Sequence, residues 1–303
     1  MKAFNLQRVD LPTGVSLDVA VEGDPANPPV ILLHGFPESH RTWRDIIPDL
    51  ARDHHVIAPD QRGYARSSKP EGVAKYAPQE ILADLIALAD HFGIGKFTLV
   101  GHDWGGAIAW MAAILRPDRV ERLVILNAPH PVVFQQTLIT DKDQRAASQY
   151  MRAFRSEGFE NAIDARGMLS FFERNFAAHI PVPIPEEEKA IYLDQWTQPG
   201  ALSAMLNWYR ASSIEVPPVE AEIDKPTFPI PELPPIAMPT LVVWGMKDPA
   251  LLPCQLDGLE AHVRDLTIVR VAEAGHFIPW ERPDAVIAAL RGWFAEQPAP
   301  AGA

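Results

Sequence analysis

Short apolar runs alternate with longer segments of helical periodicity along most of the chain. Most of these runs are continuous stretches of Val, Ile and Leu, which is typical of parallel strands buried on both faces. Helical segments between successive strands indicate an α/β fold whose mostly parallel sheet carries helices on both faces. The predicted strands are Val30–Leu33, His55–Ala58, Phe97–Val100, Leu123–Leu126, Leu241–Trp244 and Leu266–Val271.

Further patterns extend this prediction toward both ends of the chain. The alternating start of the chain, with a turn at Pro12-Thr13-Gly14, predicts an antiparallel hairpin at the sheet edge. Between the second and third predicted strands, Pro78–Phe92 carries an apolar stripe and predicts an amphipathic helix. The stripe consists of Ile81, Leu82, Leu85, Ile86 and Leu88. The ending 297–303 predicts a frayed tail.

The alternation of strands and helices stops between about His130 and Met238. That stretch reads as helices joined by proline-rich links at 181–185 and 215–239, and strand signals resume at Thr240. An insertion between two strands of one sheet predicts a lid over the carboxyl end of the sheet, where open α/β sheets bind ligands. The expected division is a core of 1–130 and 239–303 with a helical cap of 131–238.

Composition narrows the class of protein without deciding its function. An apolar fraction of 47% and a charged fraction of 22% are ordinary for a globular protein. The net charge of −12 argues against nucleic acid and against anionic membranes as partners. A single cysteine, Cys254, allows no internal disulfide, and no apolar leader or long apolar stretch is visible. We therefore expect a soluble, cytoplasmic protein, monomeric or homodimeric.

The strongest chemical motif is Gly101-His102-Asp103-Trp104-Gly105, which follows a buried strand and leads into an Ala-rich helix. It has the form of the strand–turn–helix elbow that presents a nucleophile, with Asp103 where serine is usual. The glycines suit a strained turn whose neighbouring backbones leave no room for side chains. The alternative is that Asp103 only caps the helix.

A carboxylate nucleophile would displace a leaving group at a saturated carbon and form an ester of the enzyme. Hydrolysis of that ester needs a general base, which His276 after the last strand could supply. Asp248, after strand Leu241–Trp244, could orient that histidine, in the chain order nucleophile–acid–histidine. Asp248 could instead be a turn residue before Pro249, and His276 an ordinary histidine.

Two other positions bear on this arrangement. Some hydrolases carry the acid one strand earlier, but 126–129 reads Leu-Asn-Ala-Pro, which favours Asp248. The motif His34-Gly35-Phe36-Pro37 follows strand Val30–Leu33 and fits an oxyanion loop, with backbone N–H donors from Phe36 and Trp104. His34 could orient this loop through its ring or simply be a polar residue at a strand end.

From about Val15 to Phe294 the chain resembles the epoxide hydrolase branch of the α/β-hydrolases. The matching motifs are HGFP at 34–37, DQRGYARSS at 60–68, GHDWGG at 101–106, NAPHP at 127–131 and AGHF at 274–277. The resemblance implies the α/β-hydrolase fold with a helical lid inserted between two strands. It also implies hydrolysis of an epoxide to a vicinal diol through an ester on Asp103.

The lid contains two segments that resemble motifs of this branch. LNWYR at 206–210 supplies Tyr209, and QYMRAF at 149–154 supplies Tyr150, with Tyr192 as the alternative to Tyr150. The resemblance implies that these tyrosines activate the epoxide oxygen. Ring opening leaves a basic alkoxide, and a phenol with a pKa near 10 can donate its proton at neutral pH. Each tyrosine could also serve only for packing.

The aromatic residues Phe36, Trp104, Trp208 and Phe277 are predicted to wall the substrate pocket, although core packing is an equally good interpretation of Trp208. No cysteine–histidine cluster has zinc spacing and no strand leads into G-x-G-x-x-G, so we expect neither metal nor cofactor. The expected partner is a small epoxide.

Other functions use similar machinery. Haloalkane dehalogenases usually have Asn where this chain has Phe36, and haloacetate dehalogenases bind their substrate with Arg near the nucleophile, where this chain has Trp104. A non-catalytic binding protein of this fold would usually lack a member of the triad. A serine esterase is excluded if Asp103 is the elbow residue. Which epoxide is used, and at which carbon, is left open.

Overall fold

The computed structural model describes residues 4–223 and 233–297, and its centre is one mixed sheet. The strands are β1 Leu6–Asp10, β2 Ser16–Glu22, β3 Pro29–Leu33, β4 His55–Pro59, β5 Phe97–His102, β6 Val120–Leu126, β7 Thr240–Gly245 and β8 Leu266–Val271. Their order across the sheet is β1-β2-β4-β3-β5-β6-β7-β8. Strand β2 runs antiparallel to both of its neighbours, and every pairing from β4 to β8 is parallel.

The six strands predicted from apolar runs are all present, which confirms that part of the prediction. Strand β5 is two residues longer than predicted because it pairs with β6 as far as His102. The hairpin is also confirmed, since β1 pairs antiparallel with β2 at the sheet edge. The predicted helix at Pro78–Phe92 is observed at Pro78–His91.

Both faces of the parallel part of the sheet are buried. In β3, Val30 and Leu32 belong to one apolar cluster, while Ile31 and Leu33 belong to the cluster on the opposite face. All four side chains are almost completely excluded from solvent. Burial on alternate faces explains why the strand sequence is continuously apolar rather than alternating.

Helices cover the two faces and fill the interval between β6 and β7. They are α1 Ile47–Leu50, α2 Pro78–His91, α3 Trp104–Leu115, α4 Pro131–Thr140, α5 Lys142–Ala147, α6 Gln149–Arg155, α7 Phe159–Arg166, α8 Met168–Asn175, α9 Glu186–Trp196, α10 Ala201–Ala211, α11 Ile278–Glu281 and α12 Pro283–Glu296. We call α4 to α10 the inserted helices. Within the described ranges no helix is long and apolar enough to cross a membrane.

The proline-rich links are only partly visible. The first, at 181–185, lies between His179 and α9. Residues 224–232 of the second link lie outside the described residues, as do 298–303 of the predicted tail and the first three residues of the chain. The division of the chain into a core and a cap of 131–238 stays a prediction.

Helix α9 is attached to the sheet by buried polar contacts. The Arg41 guanidinium binds the Glu188 carboxylate through two hydrogen bonds, one of them 2.6 Å from Nε to Oε2. Their side chains are only 7% and 8% exposed. At the other end of α9, the Trp196 indole N–H donates to the carbonyl oxygen of Pro37 at 2.7 Å. These contacts tie α9 to the loop that follows β3.

We expect Glu188→Ala to lower the free energy of unfolding by about 3 kcal/mol, because Arg41 loses its carboxylate in a buried environment. Asp194→Ala is the matched control. Asp194 also joins α9 to the rest of the chain, through Arg66 at 2.8 Å, but those side chains are 55% and 59% exposed. An exposed pair contributes less than about 1 kcal/mol. Urea denaturation of both variants measures the difference, and equal losses would contradict this view of α9.

Candidate active site

Asp103 occupies a strained turn between β5 and α3. Its backbone has φ +50° and ψ −121°, a left-handed conformation that non-glycine residues seldom adopt. A Cβ at Gly105 would collide with the carbonyl oxygen of Leu33, and one at Gly101 would collide with the carbonyl oxygen of Gly105. The glycines therefore allow the start of α3 to lie against the end of β3. This geometry lifts the Asp103 side chain above the carboxyl edge of the sheet.

The loop after β3 contacts the Asp103 carboxylate directly. The Phe36 N–H donates to Asp103 Oδ1 at 2.7 Å, and Gly35 is packed against the same side chain. Trp104, the first residue of α3, follows Asp103 in sequence at the helix end whose dipole favours negative charge. Of the two predicted oxyanion donors, the Phe36 amide thus already binds one oxygen of Asp103.

The His34 ring orients this loop, which settles one of the alternatives left by the sequence. Its Nδ1 bonds the carbonyl oxygen of Gly35 at 2.9 Å, and its Nε2 accepts from the Gln61 N–H at 3.1 Å. Burial lowers the pKa of His34 and outweighs the opposing charge of Asp60. The ring is therefore neutral, as these two hydrogen bonds require.

The structure brings Asp103, His276 and Asp248 together at the carboxyl edge of the sheet. His276 Nδ1 donates to Asp248 Oδ2 at 2.7 Å, while His276 Nε2 lies 3.7 Å from Asp103 Oδ2. Asp248 Oδ1 accepts the backbone N–H groups of Ala250 and Leu251 at 2.8 and 2.9 Å. The buried carboxylate is therefore held rigidly, and it directs the other ring nitrogen of His276 toward Asp103.

The charges of these three residues are strongly coupled. Burial acts to lower the pKa of His276, but Asp248 and then Asp103 outweigh it and raise that pKa to about 9. Burial acts to raise the pKa of Asp248, and the opposing charge and hydrogen bond of His276 keep it below its usual value. In the resting site an imidazolium lies between two carboxylates. Loss of either negative charge would make His276 a stronger acid.

Asn127 was not predicted to contribute to the site. Its Nδ2 donates to Asp248 Oδ2 at 2.8 Å, and its Oδ1 accepts the Gly245 N–H at 2.8 Å. Its backbone φ of +38° places it in the left-handed region, which Asn tolerates better than most residues. The sequence showed an amide at the position where some hydrolases carry the acid. Only the structure shows that this amide holds Asp248 in place.

The buried pair of His102 and Glu38, next to the site, was also not predicted. His102 Nδ1 is 3.1 Å from Glu38 Oε2, and both side chains are completely buried. His102 Nε2 bonds the carbonyl oxygen of His276 at 2.8 Å, and Glu38 Oε1 accepts the Trp280 indole N–H at 2.8 Å. The pair connects the loop after β3, the turn at Asp103 and the segment after β8 that contains His276. In sequence, Glu38 and His102 are simply neighbours of two motifs.

Tyr150 and Tyr209 lie together over Asp103, on α6 and α10. Their ring centroids are 6.1 Å apart, and both line the same two cavities as Asp103. Burial, with Asp103 as the next cause, raises the pKa of both phenols above the usual value, so both keep their protons. Tyr192, the alternative to Tyr150, is buried among other aromatic rings of the inserted helices and lines neither cavity.

Two cavities meet at Asp103 and the two tyrosines. The larger has a volume of about 200 Å³, and its lining includes Phe36 and Phe277, two of the aromatic residues that the sequence analysis assigned to the substrate pocket. The smaller, of about 60 Å³, is walled by Trp104. Trp208 lines neither, contrary to the prediction. Its indole N–H donates to the Arg62 carbonyl oxygen at 3.1 Å, and its ring packs behind Trp104, so it supports the wall from outside.

In the described part of the chain, no group of three or more His, Cys, Asp or Glu side chains could hold a metal ion. The site brings several reactive protein groups together. These are a carboxylate in an apolar cavity, an amide donor on one of its oxygens, a histidine facing the other, and two protonated phenols.

Comparisons with known proteins identify the family to which this fold belongs. Residues 28–283 match the model of the alpha/beta hydrolase fold family. An AB hydrolase superfamily protein of Bacillus subtilis is 35% identical, with 89% of this chain and 91% of the relative covered. Epoxide hydrolase A of Mycobacterium tuberculosis is 33% identical, with 91% and 93% covered. A solved epoxide hydrolase structure from metagenomes of hot environments is 48% identical, with a TM-score of 0.92 and 97% and 99% covered.

Replacing Asp103 with Asn should lower the pKa of His276 from about 9, because the imidazolium loses a neighbouring negative charge. An NMR titration of the His276 ring measures this directly. Asp194→Asn, on the exposed side of α9, serves as the control and should leave the titration unchanged. An unaltered His276 titration in Asp103→Asn would show that the two groups are not electrostatically coupled.

Proposed function

The chain belongs to the α/β hydrolase fold family and to its epoxide hydrolases, and we propose that it converts an epoxide and water to a vicinal diol through an ester on Asp103. The observation that carries this proposal is an aspartate in the nucleophile elbow that shares its cavities with two protonated tyrosines. A carboxylate can open a strained ring at a saturated carbon, and phenols can protonate the departing oxygen.

In the first step, Asp103 Oδ2 attacks one carbon of the epoxide ring and that carbon–oxygen bond breaks. Oδ1 is already held by the Phe36 N–H, which supports Oδ2 as the attacking atom. The electron pair of the broken bond goes to the ring oxygen, which lies against Tyr150 and Tyr209. One phenol donates its proton and the other stabilises the oxygen by a hydrogen bond. The product is an ester whose carbonyl oxygen is Oδ1.

In the second step, His276 removes a proton from water and the resulting hydroxide attacks Cγ of the Asp103 ester. Esterification has removed the Asp103 charge that raises the pKa of His276, so the imidazolium gives up its proton, which restores the phenol that was deprotonated in the first step. The histidine is then a neutral base when it is needed. The N–H groups of Phe36 and Trp104 receive the charge that develops on Oδ1. Collapse of the tetrahedral intermediate breaks the ester bond, and the leaving oxygen takes the proton of the newly formed Asp103 carboxyl group. The diol is released, with Asp103 ionised and His276 protonated as in the resting site.

Asp248 and Asn127 orient the base in this proposal. Asp248 accepts the His276 Nδ1–H and stabilises the imidazolium, while Asn127 holds the carboxylate at the required angle. The cytoplasmic location and the monomeric or homodimeric state stay predictions from the sequence.

We expect His276→Gln to form the ester and fail to hydrolyse it, because only the second step needs the base. After incubation with an aryl epoxide, an intact mass spectrum should show the protein plus one substrate. Adding Asp103→Asn to the same variant removes the nucleophile and should abolish the adduct. An unmodified His276→Gln protein that still forms diol at the wild-type rate would refute the two-step mechanism.

Tyr150→Phe and Tyr209→Phe should each lower kcat/KM for epoxides by about 10- to 1000-fold, because each removes a donor to the ring oxygen. The matched control is Tyr192→Phe, which changes a buried phenol away from both cavities and should leave kcat/KM nearly unchanged.

Diol and free halide are assayed together, with epoxides and haloalkanes as substrates. Halide release without diol would instead identify a dehalogenase.

A further inference from the structure

The larger cavity contains two polar side chains that neither step uses. Asn175, at the end of α8, and His179, two residues before the first proline-rich link begins at 181, line it on the side of His276 and Phe277. Asn175 is half-buried and His179 is exposed, so they mark the outer end of the cavity. Apart from Asp103, His276 and the two tyrosines, the other described residues of its lining are apolar.

The chemistry of these two side chains determines what they can offer a ligand. Asn175 Nδ2 donates one of its two hydrogens to the Phe171 carbonyl oxygen at 3.0 Å, which orients the amide. The amide oxygen can accept a hydrogen bond, and the second Nδ2 hydrogen can be donated. Burial and the nearby His276 lower the pKa of His179, which favours the neutral ring, and one nitrogen of a neutral imidazole carries a lone pair.

The smaller cavity has no polar end of this kind. Apart from Asp103 and the two tyrosines, its described lining is apolar and includes Phe134, Met151 and Leu251. A polar substituent placed there would lose its hydrogen bonds to water without replacement, which is costly. A substrate with one polar arm is therefore accommodated with that arm in the larger cavity and an apolar arm, or hydrogen, in the smaller.

Resting on the proposed function, we propose that the preferred substrates are epoxides with a hydroxyl group on the larger substituent, which donates its hydrogen to the His179 ring nitrogen and accepts the second Asn175 amide hydrogen. A hydroxyl fits because it can donate one hydrogen bond and accept another at the same time. An ether oxygen offers only lone pairs, and a carboxylate would add negative charge to a site that already contains two carboxylates. The same contacts would hold the carbon chain along the larger cavity while Asp103 attacks.

The experiment uses epoxides whose larger substituent is a carbon chain, at several chain lengths. At each length three epoxides are compared: one whose chain ends in a hydroxyl group, its methyl ether, and one whose chain is a plain alkyl group. Diol formation gives kcat/KM for each with the wild-type protein, His179→Leu, Asn175→Leu and His179→Gln. Glu173→Leu is the control, because Glu173 is exposed on α8 and lines neither cavity. The comparison within each protein cancels any general effect of a variant on folding.

We expect the wild-type protein to favour the alcohol over its methyl ether by about 3- to 10-fold, the range for a net hydrogen bond near solvent. His179→Leu and Asn175→Leu should each reduce that preference, measured as the ratio of kcat/KM for the alcohol to kcat/KM for its methyl ether in the same protein. His179→Gln, which keeps an acceptor, should restore part of it, and Glu173→Leu should keep it entirely.

A wild-type preference for the ether or alkyl epoxide at every chain length would overturn the inference, as would an alcohol preference that survives both leucine variants. Either result would leave epoxide hydrolysis itself intact. If none of the epoxides yields diol, the proposed function fails instead, so the two failures are distinguishable.

Discussion

The close approach of α3 to the end of β3 is the constraint on which the site depends. Side chains at Gly101 or Gly105 would collide with backbone oxygens, and only without them can the chain turn sharply at Asp103. The turn holds Asp103 at a positive φ, a strain of order 1–3 kcal/mol that surrounding packing must offset. In return, the carboxylate lies at a helix amino terminus, within reach of the Phe36 N–H.

The electrostatics of the site follow from the position of His276 between two carboxylates, Asp248 on one side and Asp103 on the other. Asp248 is buried and held by backbone amides and Asn127, so its charge and position are constant. Asp103 is the carboxylate whose charge would change in the proposed reaction, where it forms an ester. In the proposed reaction, the same bond that captures the substrate therefore lowers the proton affinity of His276 and prepares it to activate water.

The inserted helices complete a site that the sheet provides only in part. The sheet edge carries Asp103, His276 and Asp248, the proposed nucleophile, base and acid, whereas α6 and α10 carry the phenols that line the cavities above them. These helices must keep their position relative to the sheet to within hydrogen-bonding tolerance. The buried Arg41–Glu188 pair and the Trp196–Pro37 contact meet that need, because they link α9 to the loop that orients Asp103.

The sequence by itself determined the strands, the elbow at Asp103 and the order of acid and histidine, because burial on two faces and a tight turn leave local patterns in the chain. The tertiary structure alone decided which tyrosine accompanies Tyr209, that Trp208 stands behind the wall, and that Asn127 holds Asp248. These properties depend on which side chains meet across distant segments. Neither residue type nor spacing records such contacts, since packing in three dimensions sets them.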